Sequence, residues 1–239
     1  MDLNKSNFSS HISQQFNQEL EELKTHILSM GGLVENQVAN AVTSLVDADA
    51  ILAEQVRDEE VRINSLEISI DEECNRILAL RHPAASDLRM VIGISKAITD
   101  LERIGDEANK VAKLALGLME EGGAPNGYIQ IRHIGNLVRE MLRNALDAFA
   151  RFDVASALSV AQQDRSVDLE YEAAIRLIVT YMMEDPRSIS RELKVIWALR
   201  ALERIGDHAR NICEHVIYVV KGKDIRHRNL DIVQQQLLE

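Results

Sequence analysis

The hexapeptide Leu101-Glu102-Arg103-Ile104-Gly105-Asp106 recurs unchanged as Leu202-Glu203-Arg204-Ile205-Gly206-Asp207. Six identical residues in register point to a copied structural unit, so whatever the first half folds into, the second should repeat. Weaker echoes extend the match. Leu33-Val34 corresponds to Leu137-Val138, and the Asp-x-x-Val of Asp58 and Val61 to that of Asp164 and Val167.

The apolar spacing around each copy is helical. Ile12, Phe16, Leu20, Leu23, Ile27, Met30, Val34, Val38, Val42 and Leu45 fall every three or four positions and describe one long amphipathic helix. At 1.5 Å per residue it is roughly 50 Å long. Gly31-Gly32 suits a kink or a close helix contact, and a bend is expected over a break because the pattern continues in phase beyond it. Asp47 or Asp49 caps a second helix through Leu52, Val56, Ile63, Leu66, Ile70, Cys74 and Ile77, which Pro83 ends. Ser86 and Asp87 open a third helix that carries the first hexapeptide and runs to about Met119.

Glu121-Gly122-Gly123-Ala124-Pro125-Asn126-Gly127 is the clearest break in the chain. The plan then repeats. One helix spans Ile131 to Phe149, and Asp153 caps a second through Val154, Leu158, Val167, Leu169, Ile175, Ile178 and Met182. A last helix starts near Ser188 or Ser190 and carries Leu193, Ile196, Leu199, Leu202, Ile205, Ala209, Ile212 and Val216 to Gly222. The expected fold is therefore all-α, two tandem pseudo-symmetric antiparallel three-helix bundles, with domains over residues 1–122 and 123–239, the second ending in a short basic tail.

Charge and composition narrow the function. Asp and Glu outnumber Lys and Arg by 38 to 27, and a net charge of −11 repels phosphate backbones, so nucleic acid is not an expected partner. No signal peptide and no apolar stretch long enough for a bilayer span is legible, which predicts a cytoplasmic protein, peripheral to membranes only through partners. Cys74 and Cys213 sit in apolar helical patterns and read as reduced core thiols. The cluster Lys221, Lys223, Arg226, His227 and Arg228 suits an acidic partner or a membrane surface, although a solvated terminus is the commoner fate.

Within the repeated segment, Glu102, Asp106 and Asn109 share one flank of the third helix, and Glu203 and Asp207 repeat the pair with Asn211 one turn further on. Like charges at i and i+4 disfavour a helix by a few tenths of a kcal/mol, so a duplicated pair suggests that a cation belongs there. The bland alternative is a solvated face neutralised locally by Arg103. Oxygen ligands favour hard or borderline ions such as magnesium, manganese, calcium or iron. Glycines 105 and 206 remove bulk beside each pair, opening room for a helix, a subunit or an ion.

Other residues read as background. His208 is expected at the surface, His215 and Cys213 have no partner at ligand spacing, and the pairs Glu67/Asp71 and Asp168/Glu172 are expected to face water. There is no Gly-rich phosphate loop, nucleophile elbow or His-Glu-x-x-His, and no glutamate has a histidine three residues on, as a ferritin-like di-iron enzyme would need. The chain is not expected to be an enzyme. The runner-up is a metal-dependent hydrolase or oxidase using the paired carboxylates.

With the repeat go His11-Ile12, Gln15-Phe16-Asn17, Met30-Gly31-Gly32, Ala85-Ser86-Asp87-Leu88-Arg89, Asp147-Ala148-Phe149-Ala150-Arg151, Tyr181-Met182-Met183-Glu184-Asp185 and Asn211-Ile212-Cys213-Glu214. Over about residues 8 to 228 the chain resembles the PhoU family, accessory proteins of bacterial high-affinity phosphate transport. The resemblance implies a homodimer of paired three-helix bundles that represses the phosphate-starvation response when phosphate is plentiful. It implies contacts with the ATPase subunit of the phosphate ABC transporter and with the sensor histidine kinase. It also implies metal ions or iron clusters on a Glu/Asp-x-x-x-Asp motif in each bundle, which falls on Glu102 and Asp106 and on Glu203 and Asp207. The implied cofactor is a divalent metal or iron, with zinc, magnesium and manganese among the candidates. Lys110 stands where the second half has Asn211, so Asn109 is the substitute ligand in the first half.

Overall fold

The structure, a computed structural model, describes residues 3–83, 85–123, 127–226, 228, 233 and 235, with side chains from residue 14 onward. The side chain of Ile12, the loop residues Ala124, Pro125 and Asn126, and His227 of the basic tail lie outside the described residues.

Among the described residues there are six α-helices and no strand: α1 Leu3–Val46, α2 Ala50–Arg81, α3 Ala85–Glu120, α4 Tyr128–Arg151, α5 Val154–Glu184 and α6 Ile189–Lys221. Local chemistry sets several of these limits. The Asp49 carboxylate accepts from the Leu52 amide at 3.0 Å, and Asp153 accepts from Ala155 and Ser156, so each fills orphan donors at a helix start. Asp47, the other candidate cap, instead meets Arg132 of α4 at 3.2 Å. Before α6 a 3₁₀ turn, Pro186–Ser188, is capped by Asp185, whose side chain accepts from the Arg187 amide. Ser188 takes the N-cap position of α6 without a side-chain cap, and Ser190 lies inside the helix.

Helices α1 to α3 pack into one three-helix bundle and α4 to α6 into another. The two meet along α3 against α6 and α1 against α4. Both seams run antiparallel. On one, Gly93 lies against Val219, Glu107 against Arg204 and Gly117 beside Lys194; on the other, Gly31 faces Leu146 and Gly135 faces Val42. The second pair of contacts is the first with its halves exchanged, which is what a pseudo-twofold axis between the bundles requires. A single contiguous apolar core threads all six helices, including Leu23, Ile63, Ile104, Leu142, Ile178 and Leu202.

Glycines 31 and 32 do not break α1, which is one continuous helix. Gly31 is needed for close approach: a Cβ there would sit 2.5 Å from Leu146 Cδ2, whereas one at Gly32 meets nothing within 4 Å. The apolar pattern also overreaches at Leu169, which is 59 % exposed, because two residues past buried Val167 a helix has turned by about 200° to its far side.

Candidate functional site

Each hexapeptide directs its carboxylates away from the seam, toward the outer helix of its own bundle. In the first, Gly105 leaves an opening that a Cβ would fill, 3.0 Å from Gln37 Oε1 of α1 and 3.5 Å from Glu60 Oε2 of α2. Gln37 bridges the two helices, donating to the Glu60 carboxylate and to the Val56 carbonyl, both at 3.1 Å. Burial first, and then the Asp106 and Glu102 carboxylates, push the Glu60 carboxyl up to about 7 against the Gln37 hydrogen bond. Glu102 is raised by burial and then by Asp106 and Glu67, and Glu67 by burial and then by Asp71 and Asp106. Glu67 therefore faces the third-helix pair rather than bulk water. Thr99 of α3 donates to Glu67 at 3.5 Å, and Ser95 donates to Asp71 at 3.1 Å.

In the second bundle Gly206 plays the same part, with a Cβ there lying 3.5 Å from Asp164 Oδ1 of α5 and from Val138 of α4. Its contacts correct one sequence correspondence. Asp164 and Val167 stand over Gly206 as Glu60 and Ile63 stand over Gly105, so the structural counterparts are Glu60 and Ile63, not Asp58 and Val61. Val61 is 70 % exposed. Burial pushes the Glu203 carboxyl up to about 7, with Asp207, Asp168 and Asp164 adding to the rise against the attraction of Arg200. Asp168 is exposed, as expected of it, and burial and the neighbouring Asp207 carboxylate raise it.

The two sites are not equal. The Arg210 guanidinium reaches into the second and donates to Asp164 at 2.6 Å, with Asp207 at 3.8 Å. Three residues past the corresponding aspartate, the first half has Asn109 instead, a buried amide whose Oδ1 has no hydrogen-bond partner. The first cluster thus holds four carboxylates, Glu60, Glu67, Glu102 and Asp106, and among the described residues no guanidinium lies within 4 Å of them, Arg103 attracting Glu67 and Glu102 from further off, whereas the second carries its own counter-charge.

Asn211 does not join Glu203 and Asp207. It lies on the opposite face of α6, donating to Asp100 Oδ1 of α3 at 3.0 Å. His208 and His215 flank it on the same stripe, each 2.8 Å from an Asp100 oxygen. Burial alone would raise the Asp100 carboxyl, but these three hydrogen bonds hold it well below the usual carboxylate range. His208 is consequently buried, against the surface placement expected, because a carboxylate on the facing helix satisfies it. The signal was present as His208, Asn211 and His215 at i, i+3 and i+7, a polar stripe on a helix whose neighbours are apolar. Glu107 extends the seam one step on, paired with Arg204 at 2.8 Å and Lys110 at 2.8 Å.

Oxygen donors crowded until they hold protons near neutrality are the chemistry of a cation site, and unpaired acceptors accompany them. Glu203 Oε2 and Gln37 Oε1 are buried without a hydrogen-bond partner. Among the described residues, however, no three carboxylate, imidazole or thiol side chains already converge to ligating distance. An ion would have to draw the carboxylates together by rotation about their side-chain bonds. Cys74 and Cys213 are buried free thiols that burial raises, Cys74 to about 12, so they are inert.

The PhoU domain model matches residues 27–115 and 131–216, one match across each hexapeptide bundle. The chain belongs to the PhoU family. A Pseudomonas putida protein named as a PhoU homolog, a phosphate-specific transport system accessory protein, is 64 % identical over 228 residues, covering 95 % of this chain and 89 % of that one. The Escherichia coli K12 protein, also named a phosphate-specific transport system accessory protein PhoU, is 45 % identical across 92 % of this chain and 91 % of its own. The crystal structure of PhoU from Pseudomonas aeruginosa superposes with a TM-score of 0.85 at 64 % identity, covering 87 % of this chain and all of that one. That of PhoU from Streptococcus pneumoniae, described as a phosphate transport system regulatory protein, gives 0.81 at 34 % identity. Among the described residues no helix of this PhoU chain is long and apolar enough to cross a membrane.

Proposed function

We propose that this chain is a cytoplasmic negative regulator of the phosphate-starvation response that modulates high-affinity phosphate uptake. It acts as a homodimeric adaptor between the ATPase subunit of the phosphate ABC transporter and the sensor histidine kinase. Membership of a family of transport accessory proteins carries this reading. Long exposed helices with no catalytic motif supply what an adaptor needs, a rigid contact surface. Deleting the gene should derepress phosphate-starvation genes in high phosphate, and unchanged expression would count against the role.

The acidic faces belong to the same reading as cation sites, Glu102 and Asp106 with Glu60 and Glu67 in the first bundle, Glu203 and Asp207 with Asp164 and Asp168 in the second. A divalent ion or iron there would offset the mutual repulsion of these crowded carboxylates. The inserted Arg210 makes the second site the weaker. Asn109 remains a candidate for the first, while Asn211 is committed to Asp100. Carboxyls near 7 also suit proton transfer, which keeps a metal-dependent hydrolase or oxidase as the second reading. Protein loaded with iron, manganese or magnesium that turns over no phosphate ester and consumes no oxygen removes it.

A further inference from the structure

On a chain whose net charge is −11, one cavity gathers positive charge. It opens between α3, α6 and the segment following α6, has a volume of about 550 Å³, and is lined by Lys96, Arg103, Arg210, Asn211, His215 and Arg226, among others.

Two acidic side chains, Asp100 and Glu214, also border it. Asp100 is spent, its two oxygens accepting from His208, Asn211 and His215. Glu214 lies 3.5 Å from Arg210 Nε without making a hydrogen bond, and that buried Nε has no hydrogen-bond partner at all. Arg226 is clasped by Asp224 at 2.6 Å, and the other end of Arg210 by Asp164. Among the described residues neither Lys96 nor Arg103 has an ion-pair partner within 4 Å, although Arg103 attracts Glu102 and Glu67, and Lys96 attracts Asp224, from further off. The Lys96 ammonium stands over the Tyr218 ring, 5.0 Å from its centroid.

Two cations without a close ion pair, and a buried guanidinium N–H that Glu214 approaches without filling, leave donors unsatisfied around one cavity, and what satisfies such a set is an anion rich in acceptor oxygens. The geometry points to a binding site for a small phosphate-bearing anion in the cleft between the two bundles, held by Lys96, Arg103 and Arg210. Inorganic phosphate fits with space to spare, so a phosphate monoester is accommodated as well. The site adjoins the second carboxylate cluster through Arg210, whose other end pairs with Asp164, but it opens on the seam face of α6 with Asn211 and His215, and it stands whether or not the adaptor reading is right.

Isothermal titration of the full, metal-free chain tests it, with inorganic phosphate in one arm and phosphoserine in the other, each against chloride at matched ionic strength. Saturable binding with a Kd on the order of 1 mM or tighter is expected in at least one arm. The tighter arm identifies free phosphate or an ester as the ligand. Lys96→Gln and Arg103→Gln, neither in the apolar core, should each weaken it by about tenfold, and Lys96→Arg should retain it. In a spectrum of ¹⁵N-arginine-labelled protein, the Arg210 Nε–H resonance should move on titration even if a variant folds poorly. Heat no greater than with chloride in both arms, a motionless Arg210 resonance, or variants that bind as tightly as the parent would each overturn the assignment.

Discussion

At the scale of single residues, Glu60 and Asp100 show opposite fates for a buried carboxyl. Glu60 is pushed up to about 7 by burial and then by Asp106 and Glu102, so between its unfolded value near 4.5 and that point the folded chain binds more protons than the unfolded one. Stability therefore falls as pH climbs across this window and levels off above it. Glu203, also at about 7, acts in the same sense. Glu60→Gln should flatten the decline and, without divalent metal, raise the melting temperature at pH 8 by a few degrees while changing little at pH 5. A thermal scan at the two pH values checks both halves of this expectation. Asp100 is the reverse case, a carboxylate whose partners all favour its charge. Asp100→Ala would strand two imidazoles and an amide in the seam and should cost about 2–4 kcal/mol, measured by urea unfolding at pH 7.

At the scale of helices, contact decides what a glycine is worth. Gly31→Ala drives a methyl into Leu146 and should destabilise the protein by about 1–3 kcal/mol through overpacking. One residue on, Gly32→Ala finds open space and should stabilise by about 0.5–1 kcal/mol through helix propensity alone. Equal effects in urea unfolding would mean that α1 and α4 are not so closely apposed. This difference also marks what the sequence could disclose. Helix spans, the Asp49 and Asp153 caps and the twin acidic turns were legible because they rest on local periodicity and spacing. Which glycine is pinned, which carboxylate on α2 or α5 faces the site, and why His208 is buried depend on side chains from distant segments. The Asp58 correspondence failed for that reason: a two-residue offset preserves an Asp-x-x-Val pattern in sequence yet turns Val61 to solvent. Leu169 failed likewise, since apolar character alone does not say which side of a helix is covered.

At the scale of the molecule, the antiparallel seam between α3 and α6 places Gly105 and Gly206 at one level, between the Asp100–Asn211 and Glu107–Arg204 contacts. The two carboxylate clusters therefore stand back to back, one on the α2 side and one on the α5 side, and Arg210 distinguishes them. Glu102→Ala with Asp106→Ala should lower manganese or iron content after metal loading more than Glu203→Ala with Asp207→Ala does. Elemental analysis of the gel-filtered proteins reads the difference, and equal losses would argue that the inserted guanidinium has no influence. The seam itself has a further consequence. Because α3 packs on α6 and α1 packs on α4, the covalent link between α3 and α4 is not what holds the two bundles together. Severed there, the polypeptide should survive as two complementary pieces that recombine when mixed. Each by itself, deprived of the apolar surface its sibling covers, should clump.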